Sequence, residues 1–184
     1  MADLTKKSLT EIVSLSKKKE INCEDVTKFF IKNMENMNKN YALVTGSTAG
    51  IGLDISKELA EKGHNIILTA RREERLKDIS TQLTEDFKIH CDYVVADLSE
   101  ITAPETIFKF CSDRNYSIDI LVNNAGYSIN KKFHETAEDE EENFLRVLGI
   151  SVIALTKKFI PGMLSRKYGK IMIVSSLASF APPS

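Results

Sequence analysis

A regular alternation of apolar, strand-like runs and helical patterns, which begins at Tyr41, is the feature that most constrains the fold of this chain. The strand-like runs are four or five residues long and begin at Tyr41, Asn65, Asp92, Ile118 and Lys170. Helical patterns lie between them, at about residues 50–62, 72–86, 102–113 and 135–166. Strands that are apolar over most of their length and are separated by helices indicate a parallel sheet covered on both faces. With right-handed crossovers, residues 41–184 are predicted to form a doubly wound, Rossmann-type α/β fold.

Residues 1–40 differ in character from the rest of the chain and predict a helical extension. Ser8-Leu9-Thr10-Glu11 has the pattern of a capping box, which is typical of a helix start. Apolar residues then recur at helical spacing from Val26 to Met37, and they would bury one side of a second helix. The sequence therefore predicts two units, a helical hairpin in residues 1–40 and the α/β domain in residues 41–184.

The composition argues against partners that are held by charge or by lipid. Lys and Arg number 25, Asp and Glu number 26, and the net charge is −1, so we expect no nucleic-acid partner. Apolar runs such as residues 171–174 are too short to span a membrane, and the N-terminus does not resemble a signal peptide, so we expect no membrane partner. Three cysteines without a C-x-x-C pair indicate reduced thiols, no metal site and a cytoplasmic protein.

A glycine-rich segment at residues 45–52 joins the first predicted strand directly to a helix. Its spacing is T-G-x-x-x-G-x-G. Glycines allow a tight turn and let the backbone approach a pyrophosphate, while the helix N-terminus supplies unpaired N–H groups and the positive end of its dipole. The segment therefore predicts a dinucleotide-binding loop, with contacts from Gly46, Ser47, Gly50, Ile51 and Gly52.

The turn after the second strand indicates which dinucleotide is bound. An acidic residue at this turn would bind the ribose 2′-hydroxyl of NAD(H), whereas an arginine accommodates the 2′-phosphate of NADP(H). Here the turn carries Arg71 and no carboxylate, and a guanidinium can contact phosphate oxygens at two points. We therefore expect NADP(H) to be preferred over NAD(H). In the alternative interpretation, Arg71 and Arg72 pair only with Glu73, Glu74 and solvent.

Together with three further motifs, the glycine loop resembles the short-chain dehydrogenase/reductase family over about residues 40–184. The further motifs are Ala96-Asp97-Leu98 after strand three, Asn123-Asn124-Ala125-Gly126 at the end of strand four, and residues 169–176, which end in Ser175-Ser176. The resemblance implies hydride transfer between NADP(H) and a small-molecule carbonyl or alcohol substrate. It also implies that Asp97 and Leu98 contact the adenine ring, that Asn123, Ala125 and Gly126 line the cofactor site, and that Ser176 is the catalytic serine. In the alternative interpretation, the Ser176 hydroxyl only satisfies backbone groups at the strand end.

The rest of the family's catalytic set does not match this sequence. A Y-x-x-x-K pair should follow Ser176 by about a dozen residues, and the sequence ends at Ser184. Tyr127 and Lys131 have that spacing, but they follow the strand-four turn, and so we do not assign them a catalytic role. The family's relay asparagine falls on Leu148, with Asn143 more than one helical turn away. We therefore expect a fold truncated after strand five that does not reduce carbonyls, and a nucleotide-binding remnant is the alternative to an enzyme.

Two further expectations concern assembly and the N-terminal unit. The resemblance implies a possible homo-oligomer through the long helix at residues 135–166. Residues 8–40 resemble the opening helical hairpin of the A subunit of glutamyl-tRNA(Gln) amidotransferase, through Leu9-Thr10-Glu11-Ile12, Lys19-Glu20-Ile21 and Glu24-Asp25-Val26-Thr27. That resemblance implies a fusion of two gene fragments, with a hairpin that docks a partner protein, and a lineage-specific extension is the alternative. The amidase's Gly/Ser-rich catalytic stretch does not occur in the sequence, so we expect no amidase activity.

Overall fold

The computed structural model describes residues 41–176, so the predicted hairpin of residues 1–40 and the last eight residues lie outside the described residues. The strands are Tyr41–Thr45 (β1), Asn65–Ala70 (β2), Cys91–Val95 (β3), Ile118–Asn123 (β4) and Lys170–Ile173 (β5). The α-helices are Gly50–Glu61 (α1), Glu73–Phe87 (α2), Ala103–Asp113 (α3), Glu138–Leu145 (α4) and Ser151–Ser165 (α5). A short 3-10 turn occupies Phe133–Glu135. Strands and helices alternate as the sequence predicts.

The five strands form one parallel sheet in the order β3-β2-β1-β4-β5. The chain runs outward from β1 to β3, crosses back over the sheet, and continues outward on the other side from β4 to β5. The direction of winding therefore reverses between β1 and β4. In open parallel sheets, the crevice at such a reversal, beyond the carboxyl ends of the strands, is where ligands bind.

The central strands are buried on both faces, which confirms the doubly wound prediction. Successive side chains of a strand point to opposite faces of the sheet. Ala42, Leu43 and Val44 of β1 are all completely buried, so both faces must be covered. Helix α1 packs beside α2, and α3 packs beside α5. Leu43, Ile67 and Leu121 share one core cluster with side chains of α3 and α5, among them Ile107, Leu155 and Phe159.

An ion pair fixes the end of α5 to the start of β4. The Arg166 guanidinium donates to the Asp119 carboxylate at 2.9 and 3.1 Å and to the Ile118 carbonyl oxygen at 2.8 Å. The Asp119 side chain is only 2% exposed. Its charge is therefore balanced inside the fold, as a buried carboxylate requires.

The long helix differs from the single element predicted over residues 135–166. It begins at Glu138, and its middle turn, Arg146–Ile150, is a π-helix that separates α4 from α5. The backbone N–H of Ser151 bonds to the carbonyl oxygen of Arg146, five residues earlier, and the Ser151 hydroxyl donates to the Val147 carbonyl oxygen. A π-turn adds one residue to the helix without breaking it. The apolar periodicity of the sequence tolerates that addition and so does not reveal it.

The same helix is the one segment of residues 41–176 that is long and apolar enough to cross a membrane. Residues 138–165 include a stretch with a mean hydropathy of 1.6. Core helices of water-soluble proteins meet the same criterion, and Leu155, Phe159 and Met163 of α5 are buried in the core of this domain. The expectation of no membrane partner stays a prediction.

Candidate cofactor-binding site

The glycine loop lies at the carboxyl end of β1, beside the point between β1 and β4 where the winding direction reverses. Two of its glycines have positive φ angles, +65° at Gly46 and +54° at Gly50, a region that favours residues without a Cβ atom. Helix α1 begins at Gly50, and Ala49 before it provides no side-chain cap for the first N–H groups. Gly50 and Ile51 are exposed, whereas Ser47 and Gly52 are buried beneath them. The first turn of α1 therefore presents unpaired N–H groups at the crevice, as an anion-binding loop requires.

Two glycines of this loop pack directly against the turn after β4. A Cβ atom on Gly46 would lie 2.8 Å from the Cα of Ala125. A Cβ atom on Gly52 would collide with the Asn124 amide nitrogen and with the Gly46 carbonyl oxygen. Contacts this short leave no room for any side chain. The loop can follow this path only with glycine at these two positions.

Thr45 and Asn124 hold the two loops together by hydrogen bonds. The Thr45 hydroxyl accepts the backbone N–H groups of Asn124 at 2.9 Å and Ala125 at 3.0 Å, and it donates to the Val122 carbonyl oxygen. The Asn124 amide donates to the carbonyl oxygens of Thr45 at 2.9 Å and Gly46 at 3.2 Å. Sequence reasoning did not single out Asn124 as a site residue, although its place in the N-N-A-G motif was the signal for it.

The strand-four residues that we expected to line the cofactor site differ in their exposure. Gly126 is exposed and Ala125 is partly buried, so both can border a ligand. Asn123 is 4% exposed, and its amide nitrogen lies 3.5 Å from the Thr156 hydroxyl of α5. Its amide oxygen has no hydrogen-bond partner within residues 41–176. Asn123 therefore lies beneath the turn and joins it to the long helix.

The arginine turn faces the residues that follow β3. The Arg71 guanidinium lies 3.7 Å from the Asp97 carboxylate, and its side chain is 76% exposed. Arg72 donates to the Thr48 hydroxyl of the glycine loop at 3.2 Å. These contacts differ from the alternative in which both arginines pair only with Glu73 and Glu74. They join three turns at the carboxyl edge of the sheet.

Asp97 is fixed in place by its own turn. One carboxylate oxygen accepts the backbone N–H of Ser99 at 3.0 Å and the Ser99 hydroxyl at 2.8 Å. Burial alone would raise the pKa of the Asp97 carboxyl, but the Ser99 hydrogen bonds and the positive charge of Arg71 outweigh it and lower that pKa. The carboxyl is therefore ionised at neutral pH. Leu98 beside it is 8% exposed and belongs to the core cluster.

The residues considered for catalysis are only partly brought together. Ser176 is exposed and lies three residues beyond the end of β5. Leu148, in the π-turn, lies against the strand-four turn, since a Cβ atom on Gly126 would be 2.9 Å from a Leu148 methyl carbon. The position where the family carries its asparagine is thus at the site, but it holds an apolar side chain.

Tyr127 and Lys131 contact different partners in this structure. The Tyr127 ring packs edge-on against Phe144, with 5.5 Å between the ring centroids. The Lys131 ammonium donates to both carboxylate oxygens of Glu140, at 2.6 and 2.9 Å. The Lys131 ammonium is therefore engaged by a carboxylate of α4 in this structure.

A doubly wound parallel sheet with a glycine loop at its reversal defines a Rossmann-type nucleotide-binding domain. Comparison with known proteins agrees with this class, since the family model for short chain dehydrogenases matches residues 40–184. The crystal structure of L-sorbose reductase from Gluconobacter frateurii, complexed with NADPH and L-sorbose, superposes with a TM-score of 0.76 at 29% identity. That match covers 80% of this chain and 56% of the reductase.

Two curated relatives cover the same region. Inactive hydroxysteroid dehydrogenase-like protein 1 from Homo sapiens is 36% identical over 141 residues, which are 74% of this chain and 42% of that protein. Very-long-chain 3-oxoacyl-CoA reductase from Mycosarcoma maydis is 32% identical over 166 residues, which are 85% of this chain and 45% of that protein. The chain therefore belongs to the short-chain dehydrogenase/reductase family. It spans less than half the length of either of these two relatives.

Proposed function

We propose that the chain binds NADP(H) in the crevice at the carboxyl ends of β1 and β4. The pyrophosphate would lie on the N–H groups at the start of α1, bordered by Gly46, Ser47, Gly50, Ile51 and Gly52. Asp97 and Leu98 would contact the adenine ring, and Asn123, Ala125 and Gly126 would form the floor of the nicotinamide half. The close packing of Gly46 and Gly52 on the strand-four turn is the observation that carries this proposal, because it produces the narrow loop that a pyrophosphate needs.

We further propose that the 2′-phosphate of NADP(H) binds at Arg71, so that NADPH is preferred over NADH. The Arg71 side chain is largely exposed at the turn after β2, where an NAD-binding protein would carry a carboxylate. The similarity to a reductase crystallised with NADPH supports a nicotinamide cofactor at this site.

For the whole protein we propose hydride transfer between NADP(H) and a small-molecule carbonyl or alcohol, with Ser176 orienting the substrate oxygen. The 184 residues hold no Y-x-x-x-K pair after Ser176, and Leu148 occupies the relay position. We therefore expect these residues by themselves to bind the cofactor without turnover. The similarity to a human protein whose name describes it as inactive is consistent with that expectation.

Calorimetric titration of the chain with NADPH and NADH tests cofactor binding and choice. We expect NADPH to bind at least about tenfold more tightly, which corresponds to about 1.4 kcal/mol. Arg71→Ala should remove this preference, while Arg75→Ala, which removes the same charge from an exposed position on α2, should retain it. Equal affinity for the two cofactors, or a preference that survives Arg71→Ala, would contradict the assignment.

Two proposals concern the setting in which the protein works. The long helix carries three exposed apolar side chains, Leu145, Ile153 and Leu164, which support self-association through this helix. Sedimentation equilibrium tests this proposal: the wild type should associate, and Leu164→Arg should associate more weakly. Within residues 41–176, both Cys91 and Cys111 are free, and burial raises the pKa of each thiol to about 12. We propose a cytoplasmic location because free cysteines are typical of reducing compartments.

A further inference from the structure

The ion pair between Arg71 and Asp97 spans two neighbouring turns at the carboxyl edge of the sheet. Ala70, the last residue of β2, pairs in register with Val95 of β3, and the Ala96 N–H bonds to the Ala70 carbonyl oxygen at 3.0 Å. Arg71 and Asp97 thus leave the sheet side by side. The pairing of β2 with β3 brings the two residues close together in space, and no sequence motif predicts this proximity.

The two partners of this ion pair are held very differently. Asp97 is fixed by two hydrogen bonds from Ser99, and its side chain is 37% exposed. The Arg71 side chain is 76% exposed, and the Asp97 carboxylate is 3.7 Å away. An exposed pair of this length adds little to stability, so the guanidinium can turn to another anion at small cost. The carboxylate, in contrast, is fixed in its own turn by Ser99 and does not move with the guanidinium.

We propose that Asp97 is a specificity-determining residue that weakens the binding of a ribose 2′-phosphate to Arg71. This inference rests on the proposed binding of NADP(H). A phosphate bound to the Arg71 guanidinium would lie within a few ångströms of the fixed carboxylate. It would have to share the single positive charge and would be repelled by the negative one. Asp97 thus sets how strongly the site distinguishes a 2′-phosphate from a 2′-hydroxyl.

Asp97→Asn tests the proposal, because asparagine keeps an oxygen that can accept the Ser99 N–H, removes the negative charge and replaces the second oxygen with an NH₂ donor. The probes are adenosine 2′,5′-bisphosphate and adenosine 5′-monophosphate, titrated separately into the chain. The measured quantity is the ratio of their affinities, in which any change at the adenine ring cancels. We expect the ratio to rise about three- to tenfold in Asp97→Asn at low salt, and less at high salt.

Two controls separate the pairwise effect from a change in net charge. Asp92→Asn removes a carboxylate from β3 itself, where Asp92 lies 3.5 Å from Arg114, and should leave the affinity ratio unchanged. In the Arg71→Ala background no guanidinium holds the phosphate beside Asp97, so the phosphate can stay in solvent, where charges are screened, and Asp97→Asn should change the ratio less than about twofold. A double-mutant cycle of this kind isolates the coupling between the two side chains.

The outcomes are distinct. A ratio that falls in Asp97→Asn would overturn the proposal and show that the carboxylate positions Arg71 for the phosphate. An unchanged ratio would also overturn it. If the wild-type chain binds neither probe and does not bind NADPH, the proposed cofactor site fails as well. If the chain binds NADPH but Asp97→Asn leaves the affinity ratio of the two probes unchanged, the proposed role of Asp97 is overturned and the proposed cofactor site is not.

Discussion

At the scale of single residues, the fold disfavours protonation of the His64 imidazole. It lies just before β2 and is only 4% exposed. Burial lowers the pKa of His64, the positive charge of Lys62 lowers it further, and the Asp119 carboxylate opposes both effects. The folded protein therefore keeps this imidazole neutral at pH values at which an unfolded chain would already have protonated it.

Stability should consequently decrease as the pH falls below about 6.5, the usual pKa of histidine. In that range the unfolded chain binds a proton that the folded chain does not bind, so acidification favours unfolding until the lowered pKa of the folded state is reached. Urea unfolding at pH 7.5 and pH 5.5 should show this loss for the wild type and a smaller loss for His64→Gln. The matched control is His134→Gln, since the His134 side chain is 75% exposed. An undiminished loss in His64→Gln would contradict the assignment.

At the scale of elements, the junction between the glycine loop and the strand-four turn determines whether the site can form. Thr45 and Asn124 supply the hydrogen bonds across this junction, and Gly46 and Gly52 supply the space. The rest of α1 packs through ordinary apolar contacts, such as those of Ile55 and Leu59. The junction is therefore closely packed and hydrogen-bonded where the proposed pyrophosphate binds.

Gly52→Ala should destabilise the domain by about 2–4 kcal/mol, because the added methyl group collides with the Asn124 amide and with backbone that cannot move independently. It should also weaken NADPH binding. Gly149→Ala provides the control, since nothing lies within 4 Å of its Cβ position, and in a helical segment the change should be neutral or stabilise by up to about 1 kcal/mol. Chemical denaturation of both variants measures the difference in the free energy of unfolding, and equal stabilities would contradict the close packing of Gly52 on the strand-four turn.

Sequence reasoning recovered the elements of residues 41–176 because strand and helix periodicities are local properties. The five strands, the first three helices and the position of the glycine loop follow directly from it. The proximity of Arg71 to Asp97 and of Leu148 to Gly126 depends on strand order and on the helix path, which sequence spacing does not encode. The π-turn at residues 146–150 was missed because one extra residue barely disturbs an apolar stripe. The predictions for residues 1–40 remain untested by this structure.

At the scale of the whole molecule, all the proposed binding residues lie at one edge of the sheet. The glycine loop, the Arg71 turn, the Asp97 turn and the strand-four turn follow the carboxyl ends of β1 to β4. The opposite edge carries a different group of side chains, in which the Tyr41 and Tyr116 rings stack with 4.3 Å between their centroids. The account therefore predicts that NADPH affects one edge of the sheet and not the other.

The eight glycines of the chain make this prediction directly measurable by NMR with glycine-selective ¹⁵N labelling. Gly46, Gly50, Gly52 and Gly126 lie at the carboxyl edge, whereas Gly63 and Gly169 precede β2 and β5 at the amino edge. On titration with NADPH, we expect the amide signals of the first four to shift and those of Gly63 and Gly169 to stay in place. Shifts confined to Gly63 and Gly169, or no shifts at all, would contradict the central claim that this sheet binds NADP(H) at its carboxyl edge.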